Sequence, residues 1–336
     1  VKKKLMRFHF EYITFSKNIF IPVTNVCRNA CDYCVFKARS LEEAYVIDKK
    51  EFLELITNKG SATEALFTAG EKPELANLSH FFIDRLSSSG CSSLVEYTKE
   101  LCKLAIKQGL LPHCNLGVLS RAELKELRAV NASMGLMLET TSELEAHKNS
   151  PGKDPKLRLA MIEEAGRLRI PFTTGILVGI GEQKRDHIHA LEAIKSVHEK
   201  YGHIQEVIIQ PFLPKPFTPM RNKTPPSFEE LKEVVRAAKE ILPNEVAIQV
   251  PPNLTSPMEL IELGASDLGG IAEKTIDYIN PESPWPREDE LRRRLAPFEL
   301  RERLPIYPRY IKKGWYSEEI RPLIERYADE EGLRKG

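Results

Sequence analysis

Three cysteines fall in one short run, Cys27-Arg28-Asn29-Ala30-Cys31-Asp32-Tyr33-Cys34, and thiolates at this C-x3-C-x2-C spacing can converge on one metal centre. Three is an odd number for structural zinc, which closes with four ligands and usually draws on a second C-x2-C or a His pair. Neither follows in this chain. A cubane of four irons normally takes four cysteines, so three leave one iron without a protein ligand, and an open coordination position is where a substrate or cofactor binds. Offsets of 0, 4 and 7 are also helical spacing, so a trio on one helix face is the plain alternative. The run Ile21-Pro22-Val23-Thr24 just before, and Tyr33 within, favour the metal. Cys91, Cys102 and Cys114 have no paired spacing and read as small, half-buried residues.

The elements that must position such a loop are legible as alternation. Short β-prone runs alternate with longer stretches of helical period nearly to the end of the chain, the signature of repeated βα units. Strands are predicted at 20–24, 64–68, 110–113, 133–138, 172–178, 206–210, 245–250 and 265–268. Ser120 with Glu123 and Ser227 with Glu230 form capping boxes, and Asp154-Pro155 reads as an N-cap with a first-turn proline. After the second box Leu231, Val234, Val235, Ala238, Ile241 and Leu242 make one apolar stripe, and Leu157, Met161, Ala165 and Leu168 make another after Asp154. Eight units predict an α/β fold, a (β/α)8 TIM-like barrel. The last two units are brief, so a closed and a partial barrel both remain open. The expected division is an N-terminal extension over 1–18, the barrel over 19–296, and a charged C-terminal appendage over 297–336 packed across it.

The 336 residues carry 49 Lys and Arg against 48 Asp and Glu, a formal charge of +1, which offers no field to hold nucleic acid. No uncharged stretch approaches the roughly 20 residues of a membrane span, and the N-terminal run Val1 to Arg7 lacks the apolar core of a secretory signal. A cytoplasmic protein with reduced or metal-bound cysteines is expected.

The cysteine spacing, with an aromatic residue just before the third cysteine, resembles the radical S-adenosylmethionine (SAM) superfamily. That resemblance implies a 4Fe-4S cluster on Cys27, Cys31 and Cys34 at the C-terminal mouth of the barrel, with Tyr33 beside the cofactor. S-adenosyl-L-methionine would be chelated by the unligated iron and cleaved reductively to a 5′-deoxyadenosyl radical. Further motifs follow at successive strand ends. Ala69-Gly70-Glu71-Lys72-Pro73-Glu74 is similar to the family's Gly-Gly-Glu segment, with Ala69 replacing the first glycine. Gly70 would let the backbone approach closely and Glu71 would orient the SAM ammonium. Glu139 corresponds to the acid that bonds the ribose hydroxyls, and Arg158 to the arginine that pairs with the SAM carboxylate. Gly175 to Glu182 fits G-x-I/L-x-G-x-x-E, with Leu177 against the adenine and Gly179 giving it room. Each has a plain reading too: a turn, a helix-entry carboxylate, an exposed helical arginine. A phosphate-binding loop is excluded for the glycine run, because no Gly-Lys-Ser/Thr follows.

Longer stretches, among them Ile13 to Pro22, Pro171 to Leu177, Gln210-Pro211-Phe212, Ser266 to Ile271, Ile279 to Pro286 and Leu300 to Pro305, resemble a deazaflavin-forming family within that superfamily. This implies a carbon–nitrogen lyase that closes the chromophore ring of coenzyme F420 with loss of ammonia. Its small-molecule substrate would be a hydroxybenzyl-ribityliminouracil conjugate made by a sister subunit, and a reductant protein such as ferredoxin or flavodoxin would supply electrons. By position at strand ends, His113 and Gln210 are candidates to hold uracil or ribityl groups, and Asp267 to accept a proton as ammonia leaves. A satisfied core histidine and a helix cap are the plain alternatives for His113 and Asp267. The rival readings are the sister hydroxybenzyl-transferring subunit, a menaquinone-pathway relative, and a non-enzymatic metal-binding sensor or zinc module.

Overall fold

A strand that is apolar at every position cannot leave one face in water, so it must be covered on both. Phe172–Val178 is buried along its whole length. In the computed structural model, which describes residues 12–336, it is β5 of a parallel barrel: β1 Ile13–Thr24, β2 Glu64–Ala69, β3 Leu111–Asn115, β4 Ser133–Gly135, β5, β6 Ile204–Pro211, β7 Ala247–Gln249 and β8 Asp267–Ile271. The strands pair in sequence order, and β8 returns to β1 through Thr14 opposite Asp267 and Lys17 opposite Ile271. The barrel is therefore closed, weak last units included. β1 can serve three neighbours because it is long. Its upper half, Asn18 to Thr24, pairs with β2. Its lower half pairs with β8 on one side and with a ninth strand, β9 Leu300–Glu302, on the other.

Helices α1 Lys49–Thr57, α2 Ser79–Ser87, α3 Leu94–Lys107, α4 Arg121–Arg128, α5 Pro155–Arg167, α6 Lys184–Tyr201, α7 Phe228–Ile241, α8 Pro257–Glu262 and α9 Glu288–Arg294 wrap the barrel, and α10 Pro308–Lys312 and α11 Arg321–Tyr327 belong to the C-terminal segment. Both predicted capping boxes form, and Asp154 caps α5 through the Lys156 amide. The α7 stripe is buried at Leu231, Val234, Val235 and Ala238. The α5 stripe is rotated from expectation: Leu157 is 44% exposed while Arg158 is 3% exposed. Among the described residues no helix is long and apolar enough to cross a membrane.

Two features bear on the predicted boundaries. β1 begins inside the segment read as an N-terminal extension, whose first eleven residues lie outside the described ones. The C-terminal segment contributes β9 and then packs Leu304, Ile306, Tyr307, Tyr310, Ile320 and Leu323 on Leu111 and Ala132, at the N-terminal ends of β3 and β4. It seals the end of the barrel away from the cysteine loop. Arg303 plugs the floor, donating from Nε and Nη2 to Asp267 at 2.7 and 2.8 Å and from Nη2 to Glu206 at 3.0 Å.

Candidate active site

The loop after β1 is extended and irregular, so its shape depends on what fastens it. One clamp comes from the end of β2. The Gly70 amide donates to Thr24 O at 2.7 Å, the Glu71 amide to Cys27 Sγ at 3.2 Å, and the Arg28 amide to Glu71 O at 3.0 Å. A Cβ on Gly70 would lie 2.1 Å from Val26 O, so only glycine allows this approach. The other clamp is the segment after β4. Ala30 N donates to Asn149 O and Ser150 Oγ, both at 3.1 Å, Gly152 N to Asn29 Oδ1 at 2.8 Å, and Ser150 Oγ to Cys31 Sγ at 3.3 Å. Asn29, Ser150 and Gly152 escaped the sequence reading, because Asn-Ser-Pro-Gly announces only a turn.

The three cysteines are free, half-buried, and border one cavity of about 290 Å³ at the C-terminal mouth. Burial pushes the Cys27 thiol up to about 11 against the hydrogen bonds from Asn29 and Glu71, and raises that of Cys34 as well. The same cavity is lined by Tyr33, Gly70, Glu71, Glu139, Arg158, Leu177 and Gln210, so most of the sequence-predicted set is brought together.

Within it the charges are ordered. Burial alone would raise the Glu139 carboxyl, but the Lys153 ammonium and the Arg158 guanidinium outweigh it and hold the group at about 2. Lys153 bonds Glu139 directly and was not foreseen. Tyr33 Oη donates to Glu139 at 3.1 Å and meets His147 Nε2 at 2.9 Å. Glu139 sits at φ 70°, a left-handed conformation rare for a non-glycine residue. Both its backbone groups are taken, by Gly175 O and by the Leu177 amide. Arg158 faces inward because its Nε reaches Gly152 O at 2.9 Å and its Nη1 reaches Met137 O. Leu177 belongs to an apolar patch with Ala146, Ile180, Phe212 and Met220.

Four expectations change. Glu71 is not free to orient a ligand's ammonium. Its Oε1 accepts from Arg28 Nε and Nη2 at 2.9 and 2.8 Å, and its Oε2 from the Val118 amide at 3.1 Å, with Arg158 Nη2 at 3.5 Å. Three of a carboxylate's roughly four acceptor sites are thus taken, and the Arg158 guanidinium faces the rest. Gly179 lies off the cavity at φ 101°, where a Cβ would meet Pro226 at 2.6 Å. His113 lies below the rim. The Ser133 hydroxyl donates its one proton to Pro305 O at 2.7 Å, so His113 Nδ1, 2.7 Å from the same oxygen, is the donor of that pair. Asp267 is at the floor, fully buried against Arg303, at the wrong end for substrate chemistry.

The Radical SAM superfamily model matches residues 21–194. The chain is 53% identical to 7,8-didemethyl-8-hydroxy-5-deazariboflavin synthase of Methanococcoides burtonii, over 97% of this chain and 98% of that protein, and 52% identical to the Archaeoglobus fulgidus synthase over 97% and 99%. The chain belongs to the radical SAM deazariboflavin synthase family. Solved structures agree on the fold. HydG, a maturase of the FeFe-hydrogenase, superposes with a TM-score of 0.71 at 16% identity, over 95% of this chain and 70% of its own. Methylornithine synthase (PylB) gives 0.60 at 18%, over 97% and 84%. In this deazariboflavin synthase family member the mouth of the barrel, not the sealed floor, is the side where a barrel enzyme carries out its chemistry.

Proposed function

We propose that the chain closes the deazaflavin ring, converting 5-amino-5-(4-hydroxybenzyl)-6-(D-ribitylimino)-5,6-dihydrouracil to 7,8-didemethyl-8-hydroxy-5-deazariboflavin with loss of ammonia and a two-electron oxidation. One hydrogen leaves to the 5′-deoxyadenosyl radical and the second as a proton and an electron, SAM being the oxidant. The observation that carries this reading is one cavity bordered at one end by three free thiols and at the other by polar and aromatic side chains. The donor set fits a 4Fe-4S cluster. It consists of thiols alone, and Cys27 and Cys31 each accept a hydrogen bond of the kind that tunes cluster sulfurs. Among the described residues no three metal-binding side chains surround a single ion's position. Cys27, Cys31 and Cys34 would hold the cluster, which together with SAM would supply a 5′-deoxyadenosyl radical for hydrogen abstraction at the benzylic carbon.

The chain's own task is to bind, orient and exclude water. Glu139, ionised at any working pH, accepts from the ribose hydroxyls. Arg158, with Lys153 beside it, faces the SAM carboxylate. Leu177 and Phe212 cover the adenine, next to Tyr33. Gln210 faces the substrate's ribityl or uracil group, and Phe20 and Phe36 give its hydroxyphenyl ring an apolar wall. A ferredoxin or flavodoxin delivers the electron, and a sister subunit delivers the conjugate.

Anaerobic incubation with SAM, dithionite and the preformed conjugate tests this. Fluorescent deazaflavin and 5′-deoxyadenosine are expected, and none from tyrosine plus the ribityl-diaminouracil. Consumption of those two compounds without a sister enzyme would overturn the assignment.

A further inference from the structure

An empty cavity still shows what it is built to bind, because a polar group without a protein partner must find one in water or in a ligand. Thr68 and Asn115 both line the cavity, and neither side chain makes a hydrogen bond to the described protein. They are register partners on β2 and β3, so they stand side by side on one wall, about 4.8 Å apart as neighbouring strands require. Leu66, two residues before Thr68, also faces the cavity and closes this wall toward the floor. Elsewhere in the mouth other polar groups are already engaged, with Gln210 and Lys37 as exceptions. Lys215 Nζ bonds Asn280 at 2.8 Å and also Glu282, and Asn280 in turn bonds Asp277 at 3.0 Å. The Thr68–Asn115 pair is thus unspent hydrogen-bonding capacity held on rigid strands.

A carboxamide offers a coplanar donor and acceptor, and the chemistry complementary to it is an edge that offers an acceptor and a donor side by side. A hydroxyl next to it both donates and accepts. A pyrimidinedione has such an edge in its imide, where an N–H lies between two carbonyls. We propose that Asn115 reads the imide N–H and one carbonyl of the pyrimidinedione bidentately, and that Thr68 donates to the second carbonyl. This assigns the wall that fixes which way the substrate's ring faces the radical, and it rests on the reading given under Proposed function.

The product keeps the same imide edge and is fluorescent, so it serves as the probe. Its binding is measured by fluorescence titration on the cluster-loaded, SAM-saturated protein, alongside its N3-methylated form, which lacks the imide N–H. Wild type should prefer the unmethylated probe by about tenfold or more, the discrimination expected where a buried polar group loses its partner. In Asn115→Leu that preference should fall below about threefold, while the SAM-induced change in the cluster EPR signal stays as in wild type. Thr68→Val should weaken both probes alike. If wild type binds the product but N3-methylation costs the same in wild type and Asn115→Leu, the assignment of the wall is wrong and the ring-closing reading stands. If wild type binds neither probe, the ring-closing reading itself falls.

Discussion

The buried floor of the barrel makes the sharpest demand on the fold. Glu64, Glu206 and Asp267 bring three carboxyl groups into one buried place, where Arg303 faces them with both arms of its guanidinium. Tyr307 Oη adds a hydrogen bond to Glu206 at 2.8 Å, and the Arg303 guanidinium lies 4.3 Å from the Tyr307 ring centroid. Replacing Arg303 with methionine keeps the volume and removes the charge, leaving Asp267 and Glu206 unpaired in a dry site. Breaking a buried pair from one side costs about 3–5 kcal/mol. With an unfolding entropy of about 2.1 cal/mol/K per residue, a chain of this length loses about 0.7 kcal/mol of stability per kelvin near its midpoint, so Tm should fall by about 4–7 °C. The loss should depend on pH. Orphaned carboxylates take up protons in the folded state at pH values where the unfolded chain has lost them, so the deficit against wild type shrinks between pH 8 and pH 5.5. Thermal unfolding followed by circular dichroism at both pH values checks this. A deficit below about 1 °C, or one equal at both pH values, would refute the idea that the floor is held by charge pairing. The same experiment bears on Asp267. Asp267→Asn should lose stability yet form deoxyadenosine within about threefold of wild type at 25 °C, because the residue lies at the sealed end.

Burial raises Glu64 to about 7 in the folded protein, so its contribution is fully present below about pH 4.5 and is lost as pH rises through 7; Glu64→Gln should remove about 3 kcal/mol of pH-dependent stability over that window, flattening the Tm–pH profile by about 4–5 °C. A Cβ at Gly152 would lie 1.5 Å from Glu71 Oε1, so Gly152→Ala should expel the Glu71 carboxylate, free Arg28, and leave less than about half the wild-type iron after anaerobic reconstitution; full iron content would contradict the clamp. Glu139→Gln should weaken SAM binding by about tenfold in equilibrium dialysis, and because Glu139 is held at about 2, wild-type affinity should show no carboxyl titration between about pH 5 and 7, below the range where the α-amino group of SAM itself titrates.

Much of this was legible from the chain, for reasons of period and capping. Alternation, capping boxes and the cysteine spacing are local signals, and they led to a (β/α)8 barrel, closed or partial, with its thiols at the mouth; closure itself rests on β8 pairing with β1. What failed did so through strand boundaries. β3 ends at Asn115, two residues beyond its predicted end, so Asn115 and not His113 stands at the rim. β8 begins at Asp267, although the predicted strand nearly ended there, so a shift of two or three residues carried Asp267 from the mouth to the floor. In a barrel, chemistry is assigned by which end of a strand a residue occupies, and strand ends are what sequence reading fixes least well. Lys153 and Ser150 were illegible for another reason. Ser150 acts on Cys31 across 119 positions of chain and Lys153 on Glu139 across 14 positions of irregular loop, and no local pattern encodes either meeting.

The crowded surroundings of Glu71 explain why a weak-looking turn matters. Its backbone amide holds Cys27, its carbonyl holds the Arg28 amide, and its carboxylate joins Arg28 to Arg158 and to the Val118 amide. Arg158 in turn grips the backbone at Gly152 and Met137, which sit on either side of Glu139 in sequence. One buried carboxylate thus ties the loop that presents the thiols to the segment that presents the acid. A primary radical reacts with almost any C–H bond within reach, so selectivity depends on how precisely its source and its target are held relative to each other. Holding the thiol loop and the segment that carries Glu139 from a single ionised group makes their separation, and so the placement of the radical's source, a property of the barrel rather than of two independent loops. It also explains why Gly70, Gly117 and Gly152 surround the group: a Cβ on Gly117 or Gly152 would strike the Glu71 side chain, and one on Gly70 would push the cysteine loop away from it.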